Sequence, residues 1–160
     1  MWLVVGLAGA VGLVALLGVR AIRGTWTRLE RAEAALGVPA GFELLDRRRE
    51  GTDVCVISCD EARIRLVFRS TAPIESACAR SMAAAERVSD DLGGGLTSET
   101  TCAAWGALDG AGEDASVGLS LGSAATVAAD EYEVDWVREL GRRQAEDDLL
   151  LVVVLNSGID

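Results

Sequence analysis

The sequence predicts an α+β domain of order β-β-α-β-β-(α)-β, with a mostly antiparallel sheet, held to a membrane by an N-terminal transmembrane helix. Three observations carry this. The chain begins with a long uncharged apolar run. Its middle holds segments of period-two alternation on either side of one stretch with helical period. Its last apolar run, Leu149 to Leu155, is too short to cross a bilayer and reads as a buried strand.

Trp2 to Val19 contains no charge, and Ala21 and Ile22 extend the run past Arg20, whose long side chain can snorkel to headgroups. As a helix this spans roughly 30 Å of hydrocarbon. A cleaved signal peptide fits less well. No basic segment precedes the run, Arg20 and Arg23 stand where small cleavage-site residues belong, and the first cysteine, Cys55, is too far on for a lipobox. Residues 1–22 are therefore expected to be an uncleaved anchor, with the membrane as the first partner.

Ile22, Trp26, Leu29, Ala32 and Leu36 then recur at helical spacing, and Gly37 with Pro39 gives a stop. Residues 23–41 read as a juxtamembrane helical stalk and linker, with Trp26 as an interfacial aromatic. Residues 42–160 form the cysteine-containing domain, which starts with an edge strand at Phe42 to Leu45. Val54 to Ser58 and Ala62 to Arg69 read as a hairpin, the second strand setting Ile64, Leu66 and Phe68 opposite Arg63, Arg65 and Arg69. Pro73 opens a helix whose apolar stripe is Ile74, Cys78, Met82, Ala85, Val88 and Leu92, closed by Gly93-Gly94-Gly95. Thr101 to Leu108 and Ser116 to Leu121 make a second hairpin. Between Ser123 and Asp148 one helix is expected, around Val134, Val137 and Leu140, ending near Gly141. One core is expected, drawn from Ile64, Leu66, Phe68, Ile74, Met82, Val117, Leu119, Leu121 and Val152 to Val154.

Charge and missing residue types narrow the function. The net charge is -10, spread unevenly: positive through Glu50 and strongly negative from Gly51 onward, which argues against nucleic-acid binding by the domain. There is no His, and every basic side chain is Arg. That removes Ser-His-Asp and Cys-His catalysis, imidazole metal sites, the P-loop lysine and Schiff bases.

Cys55, Cys59, Cys78 and Cys102 are the one constellation with chemistry in its spacing. Cys55-x-x-x-Cys59 is neither a C-x-x-C redox pair nor half of a zinc knuckle, so structural disulfides are the favoured reading. Cys78 lies on the helix and Cys102 in the strand after it, which favours pairing these two and leaves Cys55 with Cys59. Carboxylates cluster at Asp60-Glu61, Asp90-Asp91, Glu113-Asp114, Asp130 to Asp135 and Glu146 to Asp148. None matches a calcium loop, and such runs are usually solvated faces. Gly110-Ala111-Gly112 and the glycine triplet read as turns. Arg63, Arg65 and Arg69 form a face that an anionic partner would recognise, unless it simply guards the sheet.

Orientation sets two rules against each other. Arg20, Arg23, Arg28 and Arg31 after the span favour a cytosolic domain, whereas four cysteines in a short acidic domain favour disulfides made outside the cytosol. The second is given more weight. The expectation is a non-enzymatic, membrane-anchored module of the cell envelope, binding or structural, with a protein or glycan partner and no cofactor. No catalytic, cofactor-binding or metal-binding residue is assigned. The alternatives are a carboxylate-dependent envelope enzyme and a membrane-tethered cytosolic regulator. A pocket gathering two buried acids would favour the enzyme, and an exposed apolar patch the binder.

Overall fold

The computed structural model describes residues 26–51, 62–100, 102–107 and 115–157. Its strands are β1 (Phe42–Glu50), β2 (Ala62–Ser70), β3 (Leu96–Thr100), β4 (Ala103–Ala107), β5 (Ser116–Ser123) and β6 (Leu149–Ser157). Its helices are α1 (residues 26–36), α2 (Ile74–Leu92), α3 (Ala124–Ala129) and α4 (Asp135–Arg142). The strands form one six-stranded sheet in the order β1-β2-β6-β5-β4-β3, with every pairing antiparallel. The fold is α+β, as the sequence predicts. Among the described residues no helix is long and apolar enough to cross a membrane. The expected anchor, 1–22, lies outside them.

β6 is the spine. Its run of Leu and Val is buried on both sides because it lies between β2 and β5 and has helices over each face. Alternation then divides the apolar residues. Ile64, Leu66, Phe68, Val117, Leu119, Leu151, Val153 and Leu155 point to one face, here the inner face, where α1 and α2 cover them. Val67, Leu150 and Val152 point to the opposite, outer face, and pack against Ala124, Val127 and Val137 of α3 and α4. The single core expected from the sequence is thus two cores, one on each side of the sheet. A strand buried on both faces shows no alternation, so its sequence alone does not reveal the division.

α1 changes the domain boundary. Trp26, Leu29, Ala32 and Leu36, the stripe assigned to a stalk, are buried in the inner core at 8%, 0%, 0% and 1% exposure. Arg47 forms an ion pair with Glu33, Arg49 with Glu30, and the Arg49 guanidinium lies 5.3 Å from the centre of the Trp26 ring. The Glu33 hydrogen bond holds Arg47 above its ordinary pKa. The helix is part of the globular domain, and Trp26 is enclosed by protein rather than free to lie among lipids. Gly37, at φ +59°, ends α1, as Gly93, at φ +70°, ends α2.

α2 spans the predicted range, and Ala85 and Val88 of the expected stripe are buried, but the buried face is rotated from the rest of it. Ala77, Ser81, Ala84, Ala85, Val88 and Ser89 face the sheet, whereas Ile74 is 52% exposed and Met82 is half-buried. Small side chains let the helix lie close to the strands, and the larger residues fall to its flanks. The first hairpin also differs. β2 is paired on both edges, with β1 (Phe42–Glu50) and β6, and Val54 to Ser58, the expected partner, lies outside the described residues. The second hairpin is β4 with β5 as expected, and β3, polar apart from Leu96, adds an edge strand that the sequence did not reveal.

Candidate functional site

The two faces of the sheet are covered unequally. On the outer face α3 and α4 have only six and eight residues, about 9 and 12 Å of helix at 1.5 Å per residue. Six strands spaced at roughly 4.8 Å present about 24 Å of width. The helices lie over β2, β6 and the Gly122 end of β5, and the rest of the outer face of β5 and that of β4 are left open.

That open surface is a shallow trough of about 260 Å³ lined by Ala103, Ala104, Trp105, Gly118, Leu119, Ser120, Val152 and Val154. Its shape follows from the sequence of two strands. β5 directs only Ser116, Gly118, Ser120 and Gly122 outward, and β4 directs Ala103, Trp105 and Ala107. In register, Trp105 lies opposite Gly118, and Ala103 opposite Ser120. One large ring, 53% exposed, therefore stands beside a floor of small side chains. No charged residue lines the trough, and Ser120 supplies its one side-chain hydroxyl. At the end of the sheet where β6 finishes lies a polar row, Arg63, Asn156 and Ser116, with Asn156 Nδ2 donating to Ser116 Oγ at 3.4 Å.

The rest of the outer face is closed by a lock around Arg65, which is 6% exposed. Its Nη1 donates to Glu133 Oε2 at 2.5 Å, and its Nε lies 3.4 Å from Glu50 Oε1. Trp136 Nε1 donates to the same Glu50 oxygen at 2.9 Å, and Arg48 stacks over the Trp136 ring at 4.5 Å. The segment leading into α4 is thereby fastened to β1 and β2. This corrects the expectation of an arginine face open to an anionic partner. Arg65 is enclosed by carboxylates, and Arg69 is paired with Glu43 at 2.7 Å. Arg65 and Arg69 balance acids of their own domain.

Cys78 and Cys102 form a disulfide, the pairing favoured from the sequence, with Cα atoms 4.9 Å apart. It ties the first half of α2 to the β3–β4 turn, where Cys102 adopts φ 75°. Cys55 and Cys59 lie outside the described residues, as do Asp60-Glu61, Glu113-Asp114 and Gly110 to Gly112.

The described acids act locally. Asp130 Oδ1 accepts from the Tyr132 amide, Asp148 Oδ2 accepts from the Ala145 amide, and Asp135 pairs with Arg138. Glu139 is held below its usual pKa by hydrogen bonds from Arg142 and then Arg143. Asp90 and Asp91 are exposed on the last turn of α2. Among the described residues no group of three or more Cys, Asp or Glu is placed to hold a metal. Trp105 is the site residue that sequence reading missed. Its signal was present, as a lone aromatic in the strand Ala-Ala-Trp-Gly-Ala, whose neighbours are too small to cover it. Compared with protein-family models, curated proteins and solved structures, the chain has no match.

Proposed function

We propose that this chain is a non-enzymatic binding module of the cell envelope, anchored by residues 1–22, and that it takes a protein partner on the trough around Trp105. The observation that carries the reading is the half-exposed indole standing over a Gly, Ala and Ser floor on the part of the outer sheet face that α3 and α4 leave uncovered. An exposed aromatic beside a small-residue floor is the geometry in which an apolar side chain of a partner loses water against a large surface. A glycan suits the trough less well. Its many hydroxyls would lose water against a surface with one side-chain hydroxyl and no charge, at a desolvation cost of about 1–3 kcal/mol per unpaired group.

The chemistry supports a binder over an enzyme. The trough brings together no acids, and Asp130, Glu133, Asp135 and Asp148 are engaged in local hydrogen bonds and ion pairs. The Cys78–Cys102 disulfide supports an extracytoplasmic domain, because reducing compartments rarely sustain structural disulfides.

The test is in-cell photo-crosslinking with a benzophenone amino acid in place of Ser120, which lines the trough, and of Tyr132, which is 90% exposed and does not line it. A defined protein adduct is expected from position 120 alone, and it should vanish in the Trp105→Ala background. Adducts to glycan would replace the protein reading with the glycan one. Equal adducts from both positions would remove the trough as a recognition surface.

A further inference from the structure

We infer that the α1 flank of the domain lies on the membrane surface and that Arg28 and Arg31 there engage anionic lipid headgroups. The inference rests on the reading of residues 1–22 as an anchor, and adds to it where the domain sits and which lipids hold it.

α1 is buried against the sheet. A helix with Trp26, Leu29, Ala32 and Leu36 in the core, clamped by Arg47–Glu33 and Arg49–Glu30, moves with the domain as one body. Only Arg23, Gly24 and Thr25 separate Ile22 from Trp26. At most about 3.5 Å per residue, those four steps cover no more than roughly 14 Å, whatever conformation they adopt. The headgroup layer on one side of a bilayer is itself about 5–7 Å thick. The first turn of α1 therefore cannot leave the vicinity of the headgroups while Ile22 stays at the edge of the hydrocarbon.

The N-terminal half of α1 carries the right charge. Arg28 and Arg31 are exposed, three residues apart on the solvent side of α1, and neither has an ion-pair partner among the described residues. Arg47 and Arg49 beside them are already taken by Glu33 and Glu30. In a domain that is strongly acidic beyond Gly51, two unpaired arginines stand close to the anchor and continue the series begun by Arg20 and Arg23. Asp90 and Asp91 lie at the same end of the sheet, because α2 finishes where β3 starts and Leu96 pairs with Gly106 near the end of β4. An anionic leaflet repels these acids while it attracts the arginines, so the domain leans onto its α1 side and lifts its α2 side.

The experiment uses the full chain in nanodiscs, either zwitterionic or containing anionic phospholipid, and reads the rate of phenylglyoxal modification of each arginine by mass spectrometry. One cation near an anionic leaflet shifts such an equilibrium about fivefold. Arg28 and Arg31 should therefore be modified at least about fivefold more slowly in anionic discs, while exposed Arg87 on α2 reacts equally in both. Equal rates at Arg28 and Arg31 in the two lipids would overturn the inference and leave the anchor intact. A chain that does not co-float with either disc would overturn the anchor reading itself.

Discussion

Removing α1 should unfold the domain. Leu29 and Leu36 are at 0% and 1% exposure, and truncating a fully buried Leu to Ala costs about 2–5 kcal/mol, Trp to Ala about 3–5. The helix as a whole thus contributes on the order of 7–15 kcal/mol through three side chains, before its clamps to Arg47 and Arg49 are considered. A domain of roughly 130 residues holds about 6–20 kcal/mol at 0.05–0.15 kcal/mol per residue. The loss is as large as the total. Urea unfolding followed by far-ultraviolet circular dichroism should show a cooperative transition for residues 26–160 and none for residues 42–160. Within the longer chain, Leu36→Ala should lower stability by about 2–5 kcal/mol with an unchanged denaturant slope. A cooperative transition for residues 42–160, within about 2 kcal/mol of the longer chain, would show that α1 is an accessory and that the stalk reading is right after all.

Four further outcomes follow from other parts of the structure. The Cys78–Cys102 bond closes a loop of sequence separation 24, for which chain-entropy arguments give about 3.5 kcal/mol, so reduction or Cys78→Ser should lower the melting temperature by roughly 10 °C or more in calorimetry. In the Cys78→Ser background, Cys102→Gly should be more stable than Cys102→Ala by about 1 kcal/mol, because position 102 is held at φ 75°. Gly106→Ala places a Cβ 2.3 Å from the backbone oxygen of Gly95, so β3 must detach from β4, seen as faster amide exchange in 96–100 while β6 remains protected. Arg65→Met should cost about 2–4 kcal/mol in urea unfolding, since it leaves Glu133 and Glu50, with side chains only 14% and 25% exposed, without their guanidinium; an additional Glu133→Gln should recover part of the loss.

What could be read from the chain depended on whether a pattern had a single physical cause. The β2 alternation, the Pro73-to-Gly93 limits of α2, the β4–β5 hairpin and the two-sided burial of β6 each follow from local rules, and each appears in the structure. The apolar stripe of α1 was equally legible, but what it packs against was not: a helix presents the same face to a coiled partner, a lipid surface or a sheet. Here the sheet is the partner, and Arg47 and Arg49 on the strand that follows clamp the helix to it. The partner of β2 was misjudged because a short connection favours neighbouring segments, whereas register with Phe42–Glu50 brings Arg69 to Glu43 and places Arg47 and Arg49 beneath α1. The site was hardest to see. Trp105 is conspicuous only once α3 and α4 are known to stop short of β4 and of the Gly118 stretch of β5, and helix length over a sheet is a tertiary fact.

The most direct test of the account is hydroxyl-radical footprinting of Trp105 in native membranes and in the purified, detergent-solubilised chain, with Tyr132 as the internal reference. Trp105 is 53% exposed in the chain by itself and Tyr132 90%. If the trough holds a partner in the envelope, Trp105 should oxidise readily in the purified protein and be protected in membranes, while Tyr132 reacts alike in both. Equal oxidation of Trp105 in the two preparations would mean that nothing occupies the trough where the protein resides, and the binding-module account would fail.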